Sequence, residues 1–182
     1  MTRNFFSRSI PDKIGTGGIL LSSTFLVVSF LFSCSDQRTV FEQHQELSDN
    51  IQWNRSDIKS FTIPISDNSK PFRFLVAFRY ATGFYYANML MRLTETDPEG
   101  NITITDLDIP TRNEKGEWIG DAGYDIMDLE YEIMNEKNFP VLGNYTYTIE
   151  HTMAEDTLHY AMEVGLVLRQ MKIENEQLPN QQ

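Results

Sequence analysis

The residue whose setting most clearly predicts chemistry is Cys34, the one cysteine of this 182-residue chain. It ends the tetrapeptide Leu31-Phe32-Ser33-Cys34, which resembles the bacterial lipobox, where a diacylglyceryl group is joined to the cysteine sulfur through a thioether. Phe32 departs from the small or β-branched residue that is usual there. Two or more fatty-acyl chains, such as palmitate, hold a protein stably to a membrane, whereas one chain binds only marginally. The sequence therefore predicts Cys34 as a lipid-attachment site and membrane lipid as its partner.

The stretch ahead of this cysteine predicts export from the cytoplasm. An uncharged apolar run covers residues 19–32, and it follows the basic residues Arg3, Arg8 and Lys13. A basic head, a short apolar core and a small residue at the end are typical of a secretory signal. The run is short for a bilayer core of about 30 Å, although an uncleaved membrane anchor is the alternative. We expect residues 1–33 to be a lipoprotein signal peptide.

Two acidic clusters could bind calcium or act on glycans. The first cluster has a spacing similar to that of a calcium loop, but predicted strands flank it, and its first and twelfth positions carry acids that are unusual there. Its members are Glu95, Asp97, Glu99 and Gly100, with Asp106 further on. A hairpin turn with solvated acids is favoured there. The second cluster could supply paired carboxylates for glycan hydrolysis, but alternating acids are more typical of the wet face of a strand. Its members are Asp121, Asp125, Asp128, Glu130 and Glu132.

No other residue pattern predicts catalysis. His44, His151 and His159 are dispersed, with neither a nucleophile nor a second cysteine beside them, so neither a catalytic triad nor a zinc finger is indicated. We assign no catalytic residue, no metal site and no cofactor, and we expect the protein not to be an enzyme.

Aromatic residues suggest a binding function as an alternative to catalysis. Trp53, Trp118 and Tyr124 could form a platform for sugars, as aromatics on β-sandwiches often do. A second aromatic and methionine group could form an adaptable contact surface, although a core strand is the favoured interpretation. Its members are Phe84, Tyr85, Tyr86, Met89 and Met91.

The net charge of the chain limits the kinds of partner that it can bind. The formal net charge is −11, and without residues 1–33, which carry three basic residues and one acid, it becomes −13. A surface this acidic repels phosphate backbones and anionic lipid head groups. The sequence therefore argues against binding of nucleic acid.

Alternating apolar residues predict strands from residue 58 onward. The strongest such pattern covers 72–80, and Pro64 places the strand before it at a sheet edge. Residues 88–105 are predicted to be a hairpin with a turn at 97–100, and a change of apolar phase predicts a bulge near Thr105.

The second half of the chain continues this pattern more weakly. Residues 110–123 are predicted to be a polar connection, and 125–133 a strand or a short helix. Clear strands follow at 145–151 and 162–168, separated by a polar loop at 153–159.

Seven or eight such strands without βαβ alternation predict an all-β fold, an antiparallel β-sandwich of the immunoglobulin-like or jelly-roll-like kind. A closed barrel is the alternative. We expect residues 34–50 to be the lipidated cysteine and a tether, 51–172 the sandwich domain, and 173–182 a disordered tail.

Several segments lie in order along nearly the whole mature chain and together form a pattern. They are Cys34, Val40-Phe41-Glu42, Trp53, Asp57-Ile58-Lys59-Ser60-Phe61, Ala87-Asn88-Met89-Leu90-Met91, Pro98-Glu99-Gly100, Gly116-Glu117-Trp118-Ile119-Gly120, Gly143-Asn144-Tyr145 and Met162-Glu163-Val164-Gly165-Leu166. This pattern resembles the gliding-motility lipoprotein family GldH of the Bacteroidetes.

The resemblance implies an outer-membrane lipoprotein that is an accessory of gliding motility and of the linked type IX secretion machinery, with envelope proteins as partners. The family has no known catalytic residues. In that phylum Asp156-Thr157-Leu158 is similar to an O-glycosylation motif with Thr157 as the acceptor. Periplasmic and surface-facing display both stay open, and the alternative functions are a carbohydrate-binding envelope lipoprotein and a glycan hydrolase.

Overall fold

The fold was analysed in a computed structural model, which describes residues 37–171. All regular structure in that range is β-strand. The strands are β1 Gln37–Glu46, β2 Gln52–Asn54, β3 Lys59–Ile65, β4 Phe72–Ala81, β5 Asn88–Thr96, β6 Ile102–Pro110, β7 Asp121–Gly123, β8 Ile126–Lys137, β9 Gly143–His151, β10 Thr157–His159 and β11 Ala161–Met171. Across these residues no helix has the length and apolar character needed to cross a bilayer.

The strands form two main antiparallel sheets and a small third one. The first sheet has the order β1-β11-β4-β8-β7, the second β3-β9-β5-β6, and β10 pairs with β2 alone. One apolar core lies between the two main sheets. Phe74 of β4, for example, meets Tyr147 of β9 edge to face, with ring centroids 5.0 Å apart. The prediction of an antiparallel β-sandwich is confirmed.

A half-buried ion pair also joins the two main sheets. Lys137 at the end of β8 places its Nζ 2.6 Å from Oε2 of Glu95 in β5. The Tyr147 hydroxyl donates to the same oxygen across 3.0 Å, and burial raises the pKa of that hydroxyl. Because one carboxylate serves two donors from different sheets, this contact holds their relative position.

The predicted tether is wrong for ten of its residues. Gln37–Glu46 form β1, which pairs with β11 along its length as an edge of the first sheet. Phe41 packs against the core, and the Gln45 amide donates to the Ser60 carbonyl at 2.6 Å. The predicted signal peptide, Cys34 and the predicted tail at 173–182 lie outside the described residues.

Two further predictions concern single strands. The predicted bulge near Thr105 is wrong, because the pairing of β5 with β6 runs without a shift from Asn88↔Pro110 to Thr96↔Ile102. The change of apolar phase arises because Ile102 and Ile104 are exposed on the outer face. The ambiguous segment after residue 125 is a strand, β8, and Pro64 does lie in an edge strand, β3.

Candidate functional site

The sandwich has two ends, and the pairing register shows which loops lie at each. Gln37 at the start of β1 pairs with Met171 at the end of β11, and this end is called the anchor end. At the other end Tyr80 of β4 pairs with Ala161 and with Met127, and this end is called the distal end. A ten-residue strand such as β1 is about 33 Å long, so the two ends are well separated.

The backbone at the distal end is strained. Among the described residues, three that are not glycine have a positive φ: Ile51 at 49°, Tyr124 at 43° and Tyr160 at 66°. The left-handed region crowds Cβ against the backbone, and it is least tolerated by a β-branched residue such as Ile51. Strain of this kind tends to gather at functional sites, which makes the distal end the candidate site.

Backbone hydrogen bonds connect the strained residues with one another. The Tyr160 N–H donates to the Ile51 carbonyl at 2.8 Å, and the Ala81 N–H donates to the Tyr160 carbonyl at 2.9 Å. Next along the chain, the Thr82 N–H donates to the carbonyl of Asp125, the residue after the third strained position, at 2.9 Å. The three positions therefore belong to one continuous surface.

Three tyrosine rings are exposed at this end. Tyr124 is 105% exposed, Tyr85 86% and Tyr160 44%. The Tyr160 ring lies on Gly83, where an added Cβ would be 2.7 Å from its Cε1. Phe84 is buried, so the loop is fixed from inside while Tyr85 points outward.

The predicted contact surface around residues 84–91 is only partly on the surface. Phe84, Met89 and Met91 belong to the core, as the favoured interpretation expected, and Tyr86 packs on its edge. Tyr85 alone of that group is fully exposed. The aromatic run at 84–86 was the sequence signal for Tyr85, whereas nothing in the sequence indicated Tyr160.

The predicted sugar platform is wrong as a set. Trp53 is fully buried, and its indole N–H donates to the Asp57 carbonyl at 2.8 Å. Trp118 is half-buried, with the Arg112 guanidinium carbon 3.4 Å from the centre of its ring. Tyr124 is the one predicted member that is freely exposed.

A short cap covers part of the distal end. It consists of β2, β10 and the loop between β9 and β10. Arg55 holds that loop, because its Nη2 donates to the carbonyls of Met153 at 2.7 Å and Ala154 at 2.9 Å, and its Nε pairs with Asp156 at 3.1 Å.

Beneath the cap lies a buried histidine. His151 is 1% exposed, and within the described residues neither ring nitrogen has a hydrogen-bond partner. The ring meets Trp53 edge-on, with centroids 5.3 Å apart. Burial, and secondly the positive charge of Arg55, lower the pKa of His151, while Asp156 partly opposes this shift. The ring is therefore neutral at pH 7.

We expect acidification to destabilise the fold through His151. Below about pH 6.5 the unfolded histidine takes up a proton. The folded one resists protonation because its pKa is lowered, so stability falls as the pH drops from about 6.5 towards the folded pKa. Melting temperatures of the wild type and of His151→Phe, measured from pH 7.5 to 5, should diverge as the pH falls. The control His159→Gln, at an exposed position, should follow the wild type, and equal pH slopes for His151→Phe and wild type would contradict the prediction.

The acids of the second cluster that lie in β8 are partners of arginines. They shield Leu75, Ala77 and Val167, a small buried group on the outer face of the first sheet. The pairs are Asp128 with Arg79, Glu130 with Arg169 and Glu132 with Arg73. The interpretation as the outer face of a strand is confirmed, and residues 37–171 contain no group of side chains placed to hold a metal ion.

The calcium-like spacing at residues 95–106 is a hairpin turn. Oδ1 of Asp97 accepts from the backbone N–H groups of Glu99 and Asn101, each at 2.8 Å, and Oδ2 accepts from the Asn101 amide. The hydrogen bond from the Asn101 side chain is the main reason that the pKa of Asp97 is lowered. The carboxylate oxygens of Asp97 therefore accept hydrogen bonds from within the turn.

Of the two predicted modification sites, the structure describes one. Thr157 begins β10, and its hydroxyl donates to the Asn54 side-chain oxygen at 2.7 Å. The next residue, Leu158, is fully buried. Glycosylation of Thr157 stays a prediction, as does lipidation of Cys34.

Comparisons with known proteins match most of the chain. The chain is 24% identical over 143 residues to the gliding motility lipoprotein GldH of Flavobacterium johnsoniae, covering 79% of this chain and 84% of that protein. Among solved structures, dimeric latent PorU of Porphyromonas gingivalis is similar with a TM-score of 0.35 and 9% identity, over 74% of this chain and 13% of that much longer one. The coat protein of tobacco streak virus is similar with a TM-score of 0.26 and 10% identity, over 82% of this chain and 96% of that one. These structural likenesses are too low to carry an argument.

The family match covers nearly the whole sandwich. A family model described as GldH lipoprotein matches residues 39–168, from β1 to β11. This match includes the edge strand that the sequence had suggested was a tether. The chain belongs to the GldH lipoprotein family.

Proposed function

We propose that this protein is an outer-membrane lipoprotein that serves as a non-enzymatic accessory component of gliding motility and of the associated type IX secretion machinery. The observation that carries the proposal is the family match over residues 39–168, together with the relative named as a gliding motility lipoprotein. The lipobox-like sequence ending at Cys34 agrees with it.

The proposal includes the membrane attachment. Residues 1–33 serve as a signal peptide that is removed, and Cys34 is acylated. The acyl chains bind membrane lipid, and the sandwich binds envelope proteins of the machinery.

The side chains of the sandwich support a binding role over a catalytic one. The carboxylates Asp128, Glu130 and Glu132, which could have formed an acid–base pair, are occupied by arginines. Sugar binding through the predicted platform is disfavoured because Trp53 is buried.

Deleting the gene in its own host tests the proposal. We expect the deletion to abolish spreading on agar and to reduce secretion of type IX cargo into the medium, measured by mass spectrometry of culture supernatants. A plasmid copy of the intact gene should restore both. Normal motility together with normal cargo secretion in the deletion strain would overturn the proposal.

A further inference from the structure

We propose that the distal end is the docking surface for a partner protein, and that Tyr85, Tyr124 and Tyr160 contact arginine or lysine side chains of that partner. This inference rests on the proposed function, because a non-enzymatic component of a machine acts through a surface that binds another component.

The fold does not explain why residue 124 is a tyrosine. Tyr124 has φ 43° and Tyr160 φ 66°, a conformation that glycine or asparagine adopts more readily than tyrosine. Tyr124 is 105% exposed, so its ring gains no packing that would offset the strain. Stability alone favours a smaller residue at this position. What the tyrosine ring contributes therefore lies outside the folded chain.

The chemistry of the surface indicates the partner. Asp49, Asp121 and Asp125 lie beside the strained residues, are exposed, and have no ion pair within the described part of the chain. Three arginines at this end are already engaged, since Arg79 pairs with Asp128 and Glu163, Arg112 stacks on Trp118, and Arg55 pairs with Asp156. This leaves a surface of aromatic rings and free carboxylates.

Arginine satisfies both features of such a surface. Its guanidinium stacks on tyrosine rings and pairs with carboxylates, and lysine provides the same charge. Tyrosine is also enriched at protein interfaces, where it gives a large contact area at little entropic cost. An anionic partner would be repelled by the same carboxylates. Charge complementarity therefore favours a basic protein surface.

The position of the membrane anchor leaves this end available. Cys34 lies three residues before Gln37, so at most about 10 Å of chain separates it from the start of β1. The exposed tyrosines lie at the opposite end of that strand, about 33 Å away. With Cys34 acylated, the anchor end stays next to the bilayer, and the distal end lies away from the lipid, where a protein can reach it.

Photo-crosslinking in living cells tests the inference directly. The photoreactive amino acid p-benzoylphenylalanine is placed in the full chain at Tyr85 or Tyr124, and as controls at Leu142 near the anchor end or Ile104 on a sheet face, both exposed. We expect one and the same protein adduct from both distal positions, with the crosslinked peptide carrying arginine or lysine beside the adduct. No adduct, an adduct with glycan or lipid only, or equal adducts from the control positions would overturn the inference.

Complementation of the deletion strain provides a second test. The triple variant Tyr85→Ala, Tyr124→Asn, Tyr160→Asn is compared with the control pair Ile104→Thr and Leu142→Ala. We expect the triple variant to restore less than a tenth of the wild-type spreading rate, and the control pair to restore it fully. Full restoration by the triple variant would overturn the inference while leaving the proposed function intact.

A single variant keeps this test valid if the triple variant folds poorly. Tyr124→Asn relieves strain without removing a packed ring, so we expect its melting temperature to be unchanged or higher while its crosslink-partner complex falls at least threefold in pull-downs of the lipidated chain. An unchanged amount of complex would count against the inference.

If the deletion strain itself glides and secretes normally, the proposed function fails, and the crosslinks at Tyr85 and Tyr124 still decide whether the distal end binds a protein.

Discussion

Replacing Trp53 with alanine is expected to lower the free energy of unfolding by about 3–5 kcal/mol, because a fully buried tryptophan leaves a large cavity. The loss also removes a hydrogen bond to the Asp57 carbonyl and the edge contact with His151. At roughly 2–4 °C per kcal/mol for a domain of this size, the melting temperature should fall by about 6–20 °C. Chemical denaturation of the mature chain measures the change.

Trp118→Ala is the matched control for this substitution. Trp118 is half-buried and packs under Arg112 and beside Tyr80, whose ring centroid is 5.7 Å away. Since less of its surface is removed from water, we expect a smaller loss, about 1–2 kcal/mol. Equal losses for the two variants, or a loss below 1 kcal/mol for Trp53→Ala, would contradict the buried position of Trp53.

The contrast between these two tryptophans shows which buried residues could not be predicted from the sequence. The strands with strong alternation were predictable, because a half-buried strand must alternate apolar and polar side chains. Trp53 stands beside no such pattern. It is buried because β2 pairs with β10 about a hundred residues later, bringing Leu158 opposite Trp53. A pairing between two three-residue strands leaves no periodic signal.

The edge strand β1 was missed for a related reason. Phe41 makes the clearest apolar contact between β1 and the core, and the outer face of β1 carries Glu42 and His44. One residue of the neighbouring strand did indicate a close partner strand, namely Gly165 of β11. A Cβ there would lie 2.8 Å from the Gln43 carbonyl oxygen and from Nδ1 of His44, so only glycine lets β1 approach.

The candidate site could be predicted least of all. Tyr85 and Tyr124 stood among aromatic residues predicted for two different surfaces, but nothing in the sequence indicated Tyr160 or the left-handed backbone that displays Tyr124 and Tyr160. Asparagine, aspartate or glycine would have signalled such a conformation, and tyrosine does not. The same mismatch between residue type and backbone is what identifies the distal end as a functional surface once the structure is known.

Replacing Cys34 with serine is expected to release the protein from the membrane almost completely. The chain after residue 33 has a formal net charge of −13, which opposes binding to anionic lipid. Attachment therefore depends on the acyl chains, each CH₂ of which contributes about 0.8 kcal/mol when buried. We expect the membrane-bound fraction, measured by ultracentrifugation and immunoblotting, to fall from nearly all of the wild type to a few per cent of Cys34→Ser.

Ser35→Ala is the control for this change, since it alters the neighbouring residue but leaves the sulfur in place, and it should stay with the membrane. Mass spectrometry of the wild type should find a chain that begins at Cys34 with a diacylglyceryl mass on the thiol. If the wild type retains residues 1–33 and carries no diacylglyceryl mass on Cys34, the apolar run at 19–32 is an uncleaved anchor, and the lipid assignment is wrong. In that case β1 would still begin three residues after Cys34, so the distal end would still lie at the far end of the strand that leaves the membrane. The two outcomes therefore change the chemistry of attachment without removing the basis for docking at Tyr85, Tyr124 and Tyr160.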